Sequence, residues 1–398
     1  MFGITMVLHF LGCSGTEKEI DDTSIDIEQT DTGGDTGQID TGDTEPTDTG
    51  DTEPADSGED TAQNDTSEEP IEMYFPENDD SAWETAVPID VFPNWSEEEE
   101  TVLLNFLEER NTKSFMILHN GYIVSEHYFG DHTQDSIWYW ASAGKTLTSS
   151  LVGLAQQEGF MDIHEPVSTY LGTGWTSASP SQELMITSHH LLTMTSGIDE
   201  RNGADLSPEN LEYRVDAGTR WAYHNVYSLL QNVVEEAAGQ SWRNYFRTKL
   251  RNPIGMGGSW TESGDHFIYW SDTRSMARFG LLALNNGIWK DTQIINEAYF
   301  TEATQPSQDI NPAYGYFWWL NGQESFLLPG IPLEGSGSLI SSGPDDMVMA
   351  LGTDDQKIYV VPSSNMVVIR MGESGDDPNL ALSPFDVELW EKLSALTQ

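Results

Sequence analysis

The stretch Trp138-Tyr-Trp-Ala-Ser142-Ala-Gly-Lys145-Thr-Leu147 decides how the rest of the chain is read. The chain has seven lysines, and only Lys145 has a serine three residues before it. Leu147, Leu151, Leu154 and Ala155 follow at helical spacing, which puts Ser142 and Lys145 on the first turn of an amphipathic helix. One turn brings a lysine amine beside a serine hydroxyl, and a helix N-terminus favours negative charge developing there. Walls formed by Trp138 and Trp140 would desolvate the ammonium and lower its pKa, making the amine a usable base for a serine nucleophile. Ser-x-x-Lys by itself is a weak signal, expected by chance about once in a chain of this size.

Working outward, Trp95, Val102, Leu103, Phe106 and Leu107 have helical spacing. Phe115–His119 and Tyr122–Tyr128 flank Asn120-Gly121, the pair favoured in a two-residue hairpin turn. A second hairpin joins Lys357–Val361 to Met366–Arg370, and Phe385, Leu389, Leu393 and Leu396 mark a closing helix. Strands near both ends with helices and loops between them imply an α/β (α+β) fold. An antiparallel sheet is built from the two ends of the body, with flanking helices and an inserted helical subdomain.

Downstream of Ser142-Ala-Gly-Lys145 come Ile186-Thr-Ser-His-His-Leu-Leu-Thr-Met-Thr-Ser-Gly197, Gly218-Thr-Arg-Trp-Ala-Tyr223-His-Asn225 and Pro253-Ile-Gly-Met256. Ser271-Asp272 with Ala277-Arg278-Phe279, and Tyr314-Gly-Tyr-x-Trp-Trp319, complete the series. Together they resemble the serine β-lactamase and penicillin-binding-protein superfamily, in its class C β-lactamase and esterase-like branch. Ala217 stands where that branch usually has proline. The resemblance implies a β-lactamase/transpeptidase-like fold and a Ser142 acyl-enzyme. It implies that Tyr223 relays the Ser142 proton to the leaving group, as base then acid, if nearby positive charge lowers its pKa. Asn225 would hold Lys145 or a substrate amide.

The family's third motif is matched by Ala350-Leu351-Gly352-Thr353, followed by Gln356, which looks like the variant of 6-aminohexanoate-dimer hydrolases and related esterases. In that register the backbone N–H groups of Ser142 and Thr353 form the oxyanion hole. Ala350 and Leu351 offer no cation or hydroxyl for the carboxylate of a β-lactam, so a small ester or amide ranks above penicillin as substrate. Lys357 is expected to point from its strand to solvent and not to substitute. A D-alanyl peptidase, a penicillin-binding or β-lactamase activity, and a non-catalytic surface lipoprotein of the same fold are the alternatives. Trp138, Trp140, Trp221, Tyr316, Trp318 and Trp319 are each expected in the core, and together could line an apolar acyl cleft.

The 66 acidic and 17 basic residues give a net charge of −49, which speaks against nucleic acid or bare anionic lipid as a partner. Residues 1–80 hold 24 of the acids and one base, whereas all 13 tryptophans come later. Residues 81–398 keep 42 acids against 16 bases, a solvated acidic surface that disfavours polyanionic substrates.

Residues 1–12, ending in Leu11-Gly12 before Cys13, resemble a bacterial lipoprotein signal with Cys13 as the lipidated residue. Residues 13–80, with Asp-Thr-Gly at Asp31, Asp35, Asp40 and Asp48, have the composition of a disordered tether. The hydrolase domain is then 81–398, anchored at the cell envelope, on the periplasmic face or the cell surface. Cys13 is the only cysteine, so no intrachain disulfide forms. Neither a G-x-S-x-G elbow nor an H-E-x-x-H pattern occurs, and no metal or cofactor is expected.

Overall fold

The computed structural model describes residues 73–78, 82–264, 266–376 and 382–398. Cys13 and the lipoprotein-like segment, and all of the tether except residues 73–78, lie outside the described residues. The folded body, however, begins before residue 81. Tyr74 donates its backbone N–H to Asn120 O at 2.9 Å and stacks on Tyr122 at 4.7 Å. Phe75 packs edge-on against Trp289, and Glu77 O accepts from Arg278. Met73, Tyr74 and Phe75 supply apolar surface at the end of an acidic stretch, which is why the chain adheres from this point.

The main sheet has six antiparallel strands. Those used below are β1 (Thr112–His119), β2 (Tyr122–Tyr128), β3 (Trp319–Leu320), β4 (Val348–Gly352), β5 (Gln356–Val361) and β6 (Met366–Gly372), in the spatial order β2-β1-β6-β5-β4-β3. The two ends of the body thus meet at the β1–β6 pair, with Phe115 opposite Arg370 and His119 opposite Met366. Asn120 and Gly121 both have positive φ, 47° and 84°, as the first hairpin requires.

Helices α1 (Glu97–Glu109), α2 (Lys145–Gln157), α3 (Leu229–Ala238), α4 (Thr273–Leu284) and α5 (Pro384–Thr397) frame the site. Ser96 caps α1 by accepting from Glu99 N, and Asp272 caps α4 through Ser275 N. On one face of the sheet α4 packs so closely that a Cβ on Gly280 would lie 2.6 Å from Val367 Cγ1. On the other face α1 and α5 pack on each other, with Phe106 stacked on Phe385 at 5.4 Å and Trp390 edge-on to Tyr359. Burying a side chain such as Leu107 or Leu389 contributes about 1.5–3 kcal/mol relative to leaving it exposed.

With both faces covered, every residue of β5 and β6 is buried and the in–out alternation disappears. Lys357 therefore does not reach solvent. It is fully buried and ion-paired to Asp355 at 3.1 Å and Asp386 at 2.7 Å. The helical subdomain, with α2 packed against α3, lies between the two strand-forming ends of the chain.

Candidate active site

Ser142 does not begin the α-helix as its spacing suggests. It lies in a 3₁₀ turn, Ala141–Gly144, that runs directly into α2 at Lys145. A 3₁₀ turn has three residues per turn, so side chains at i and i+3 eclipse. Lys145 Nζ and Ser142 Oγ are accordingly hydrogen-bonded at 2.7 Å. Ala141, just before the nucleophile, has φ of 47°, a left-handed conformation that re-aims the chain from the preceding strand.

The walls of the lysine differ from the expected ones. Trp140 is buried away from it, donating to Ser271 Oγ and packing on Tyr269 and Phe279. Trp138 donates to Gly372 O. The rings over the Lys145 amine are Tyr223, at 4.8 Å from the centroid, and Tyr227, at 4.4 Å. Lys145 is 5% exposed, and burial pushes its pKa below the ordinary lysine value, with Tyr227 partly opposing the shift.

Tyr223 is delivered by the loop leading to Asn225. That loop is tied to the Thr187–Gly197 stretch by Gly218 N to Thr195 O and Ala222 N to Met194 O, both 2.8 Å. A Cβ on Gly197 would lie 2.2 Å from Val215 O, so glycine allows the two segments to touch. Glu200 accepts from both Arg214 and Arg220, which steadies the approach to Trp221. The Tyr223 ring stacks on Trp319, and its hydroxyl lies near enough to Ser142 to feel it electrostatically.

Burial pushes the Tyr223 phenol up to about 12, with Ser142 pulling it partly back. The positive charge invoked for lowering it does not prevail, so its resting form is the neutral phenol. Asn225 is half-buried, and among the described residues the partners of the Lys145 amine are Ser142, Tyr223 and Tyr227 and not Asn225. Tyr227 is the residue that sequence reasoning missed, lying in the 3₁₀ turn Asn225–Ser228 one turn beyond Tyr223.

The Ala350-Leu351-Gly352-Thr353 segment forms the end of β4 and runs past the nucleophile turn. A Cβ on Gly352 would lie 2.4 Å from Trp140 O and 3.1 Å from Ala143 N, so only glycine permits this approach. Ala350 is fully buried and Thr353 half-buried. Asp354 and Asp355 follow with φ of 60° and 58°. The Arg370 guanidinium holds this turn by donating to Asp354 O at 2.8 Å and Asp355 O at 3.0 Å, while the Tyr139 hydroxyl bonds the Asp354 carboxylate. Gln356 pairs with the backbone of Gly372, accepting from its N–H at 3.1 Å and donating to its carbonyl at 2.6 Å.

The aromatics do not act as one cleft. Trp318 packs on Phe279 and Phe300 in the core, and Tyr316 on His189 and Tyr299, whereas Trp221 and Trp319 pack on Tyr223. Among the described residues no group of His, Cys, Asp and Glu is arranged to hold a metal ion.

Comparison with known proteins agrees with this geometry. A protein of Alkalihalophilus pseudofirmus without an assigned function is 27% identical over 304 residues, covering 67% of this chain and 84% of that one. A provisionally named penicillin-binding protein of Bacillus subtilis is 30% identical over 172 residues, 38% of this chain and 42% of its own. Among solved structures, a provisionally named 6-aminohexanoate-dimer hydrolase from Bacillus anthracis shares the fold at a TM-score of 0.59 and 18% identity, covering 80% of this chain and 89% of that one. The beta-lactamase family model matches residues 105–371, two thirds of the chain and the span that contains Ser142, Lys145, Tyr223 and Gly352. The chain therefore belongs to the beta-lactamase family of serine hydrolases.

Proposed function

We propose that the protein hydrolyses a small ester or amide through an acyl-enzyme on Ser142. The observation that carries this reading is the 2.7 Å contact between Ser142 Oγ and the amine of a buried lysine that has no carboxylate partner among the described residues. Lys145 takes the hydroxyl proton as Oγ bonds to the substrate carbonyl carbon. The resulting oxyanion accepts from the backbone N–H groups of Ser142 and Thr353. Tyr223, resting as the neutral phenol, gives its proton to the leaving group as the carbonyl–heteroatom bond breaks, and the Lys145 ammonium returns a proton to the phenolate. Water, deprotonated by the same relay, then releases the acid. No cofactor takes part.

Ala350 and Leu351, both buried and apolar, argue for an ester or amide over a β-lactam, since neither can grip a carboxylate. Steady-state hydrolysis of p-nitrophenyl acetate tests the reading, with Ser142→Ala expected to be inactive. A stable adduct of benzylpenicillin on Ser142, with no ester turnover, would favour a penicillin-binding role instead.

The same proposal places the hydrolase at a bacterial envelope membrane through lipid on Cys13. Its support is the Leu11-Gly12-Cys13 step and the acidic Asp/Thr/Gly-rich segment that follows. Metabolic labelling with an alkyne fatty acid, lost in Cys13→Ala, is the expected outcome. Retention of label in that variant would remove the anchor from the account.

A further inference from the structure

Phe317, which packs on one of the two tyrosines over Lys145, has a backbone conformation that local preference does not explain. Phe317 has φ of 67°, a left-handed conformation natural to glycine and strained for a bulky side chain. Such a residue persists where its surroundings over-determine it, and the Phe317 ring is buried edge-on against Tyr227 at 5.3 Å. Tyr227 in turn presents its face to the Lys145 amine at 4.4 Å, closer than Tyr223 at 4.8 Å. The groups that face the amine are Ser142 from the nucleophile turn and Tyr223 and Tyr227 from the following loop. Tyr314 lies beyond, edge-on to Tyr223, with a buried hydroxyl that has no hydrogen-bond partner. No carboxylate ion-pairs with Lys145 among the described residues.

We propose that Tyr227, braced by Phe317, is a positioning residue that serves Lys145 as a soft counter-ion. A carboxylate at this place would hold the lysine charged and useless as a base. A bare apolar wall would make the ammonium formed on taking the Ser142 proton too costly. A ring face lies between these limits, attracting the cation without fixing it. The Phe317 strain is retained because it presses that face onto the amine.

The inference rests on Ser142 and Lys145 being the reacting pair, which wild-type labelling tests separately. The experiment is the pH profile of fluorophosphonate labelling of Ser142 in the full chain, for wild type, Tyr227→Leu and Phe317→Gly. Near-ultraviolet circular dichroism checks the fold. Removing the ring face lowers the lysine pKa, so the acidic limb of the profile moves to lower pH. The weaker base also lowers the plateau, by roughly tenfold in Tyr227→Leu, the equivalent of one desolvated cation–π contact. Phe317→Gly relieves the backbone strain yet shifts the limb in the same direction by less. The Gly variant keeps the proposal testable if the Leu variant does not fold. Folded variants whose acidic limb stays at the wild-type pH, whether the plateau falls or not, would overturn it. An unlabelled wild type would instead overturn the hydrolase reading itself.

Discussion

Lys145 and Lys357 are both removed from water, 5% and 0% exposed, yet they sit in opposite electrical surroundings. Behind the sheet, Lys357 is clamped between Asp355 and Asp386. Those carboxylates are themselves saturated: Asp386 accepts from the Tyr359 hydroxyl at 2.6 Å, and Asp355 from Gly375 N at 2.9 Å and the Ser383 hydroxyl at 3.2 Å. Burial pushes Asp355 up, but Lys357 and Arg370 pull it further down, below its ordinary range. In front of the sheet, Lys145 has a serine hydroxyl and two phenol rings and, among the described residues, no counter-charge. Burial alone does not make a lysine a base. Burial without an anion does.

Exchanging each lysine for methionine breaks the comparison most sharply. Lys145→Met should lower kcat/KM for p-nitrophenyl acetate by roughly 10³–10⁴-fold. It removes a desolvated amine that no ion pair holds, so its urea midpoint should not fall. Lys357→Met should do the reverse. It strands two buried carboxylates and should destabilise the fold by about 3–5 kcal/mol in urea, while the folded fraction labels at Ser142 at the wild-type rate. Equal losses of activity and stability in both variants would erase the distinction.

Gly352→Ala probes where the two regions touch, since the added Cβ would press on Trp140 O. A loss of roughly 10²-fold in kcat is expected from displacing the oxyanion donors, with a smaller effect on KM.

The smallest effect concerns pH. The folded-state pKa of Lys145 lies below its unfolded value, so between the two the unfolded chain binds the extra proton. Stability therefore rises with pH in that window, by at most about 1.4 kcal/mol per unit, and Lys145→Met should flatten the rise. Asp355 has a linkage of the same sign in an acidic window. Its depressed pKa gives stability that is present above the unfolded value of about 3.9 and lost as the pH falls through the folded one.

What could be read from the sequence followed the range of the interactions. Ser142 and Lys145 are three residues apart, and any helical turn joins them, so their contact was visible without a fold. The Asn120-Gly121 hairpin was visible for the same reason. The sheet made from both ends of the body followed from strand placement. The lysine's walls were misassigned because Trp138 and Trp140 are near in sequence, whereas Tyr227 comes close only through folding. Its aromatic type carried no signal beyond that of any core tyrosine. Lys357 was misread because in–out alternation in a strand signals an exposed face, and β5 has helices over both faces. The early start of the body could have been read from Met73-Tyr74-Phe75, an apolar run at the end of an acidic segment.

The most direct test is to treat the full-length protein with a fluorophosphonate probe and map the adduct by mass spectrometry, in wild type and in Lys145→Met. One adduct, on Ser142, that forms in the wild type and falls below detection in the folded Lys145→Met variant is the expected result. A wild-type protein that folds and takes no label, or a Lys145→Met variant that labels at the wild-type rate, would contradict the assignment of Lys145 as the base that activates Ser142.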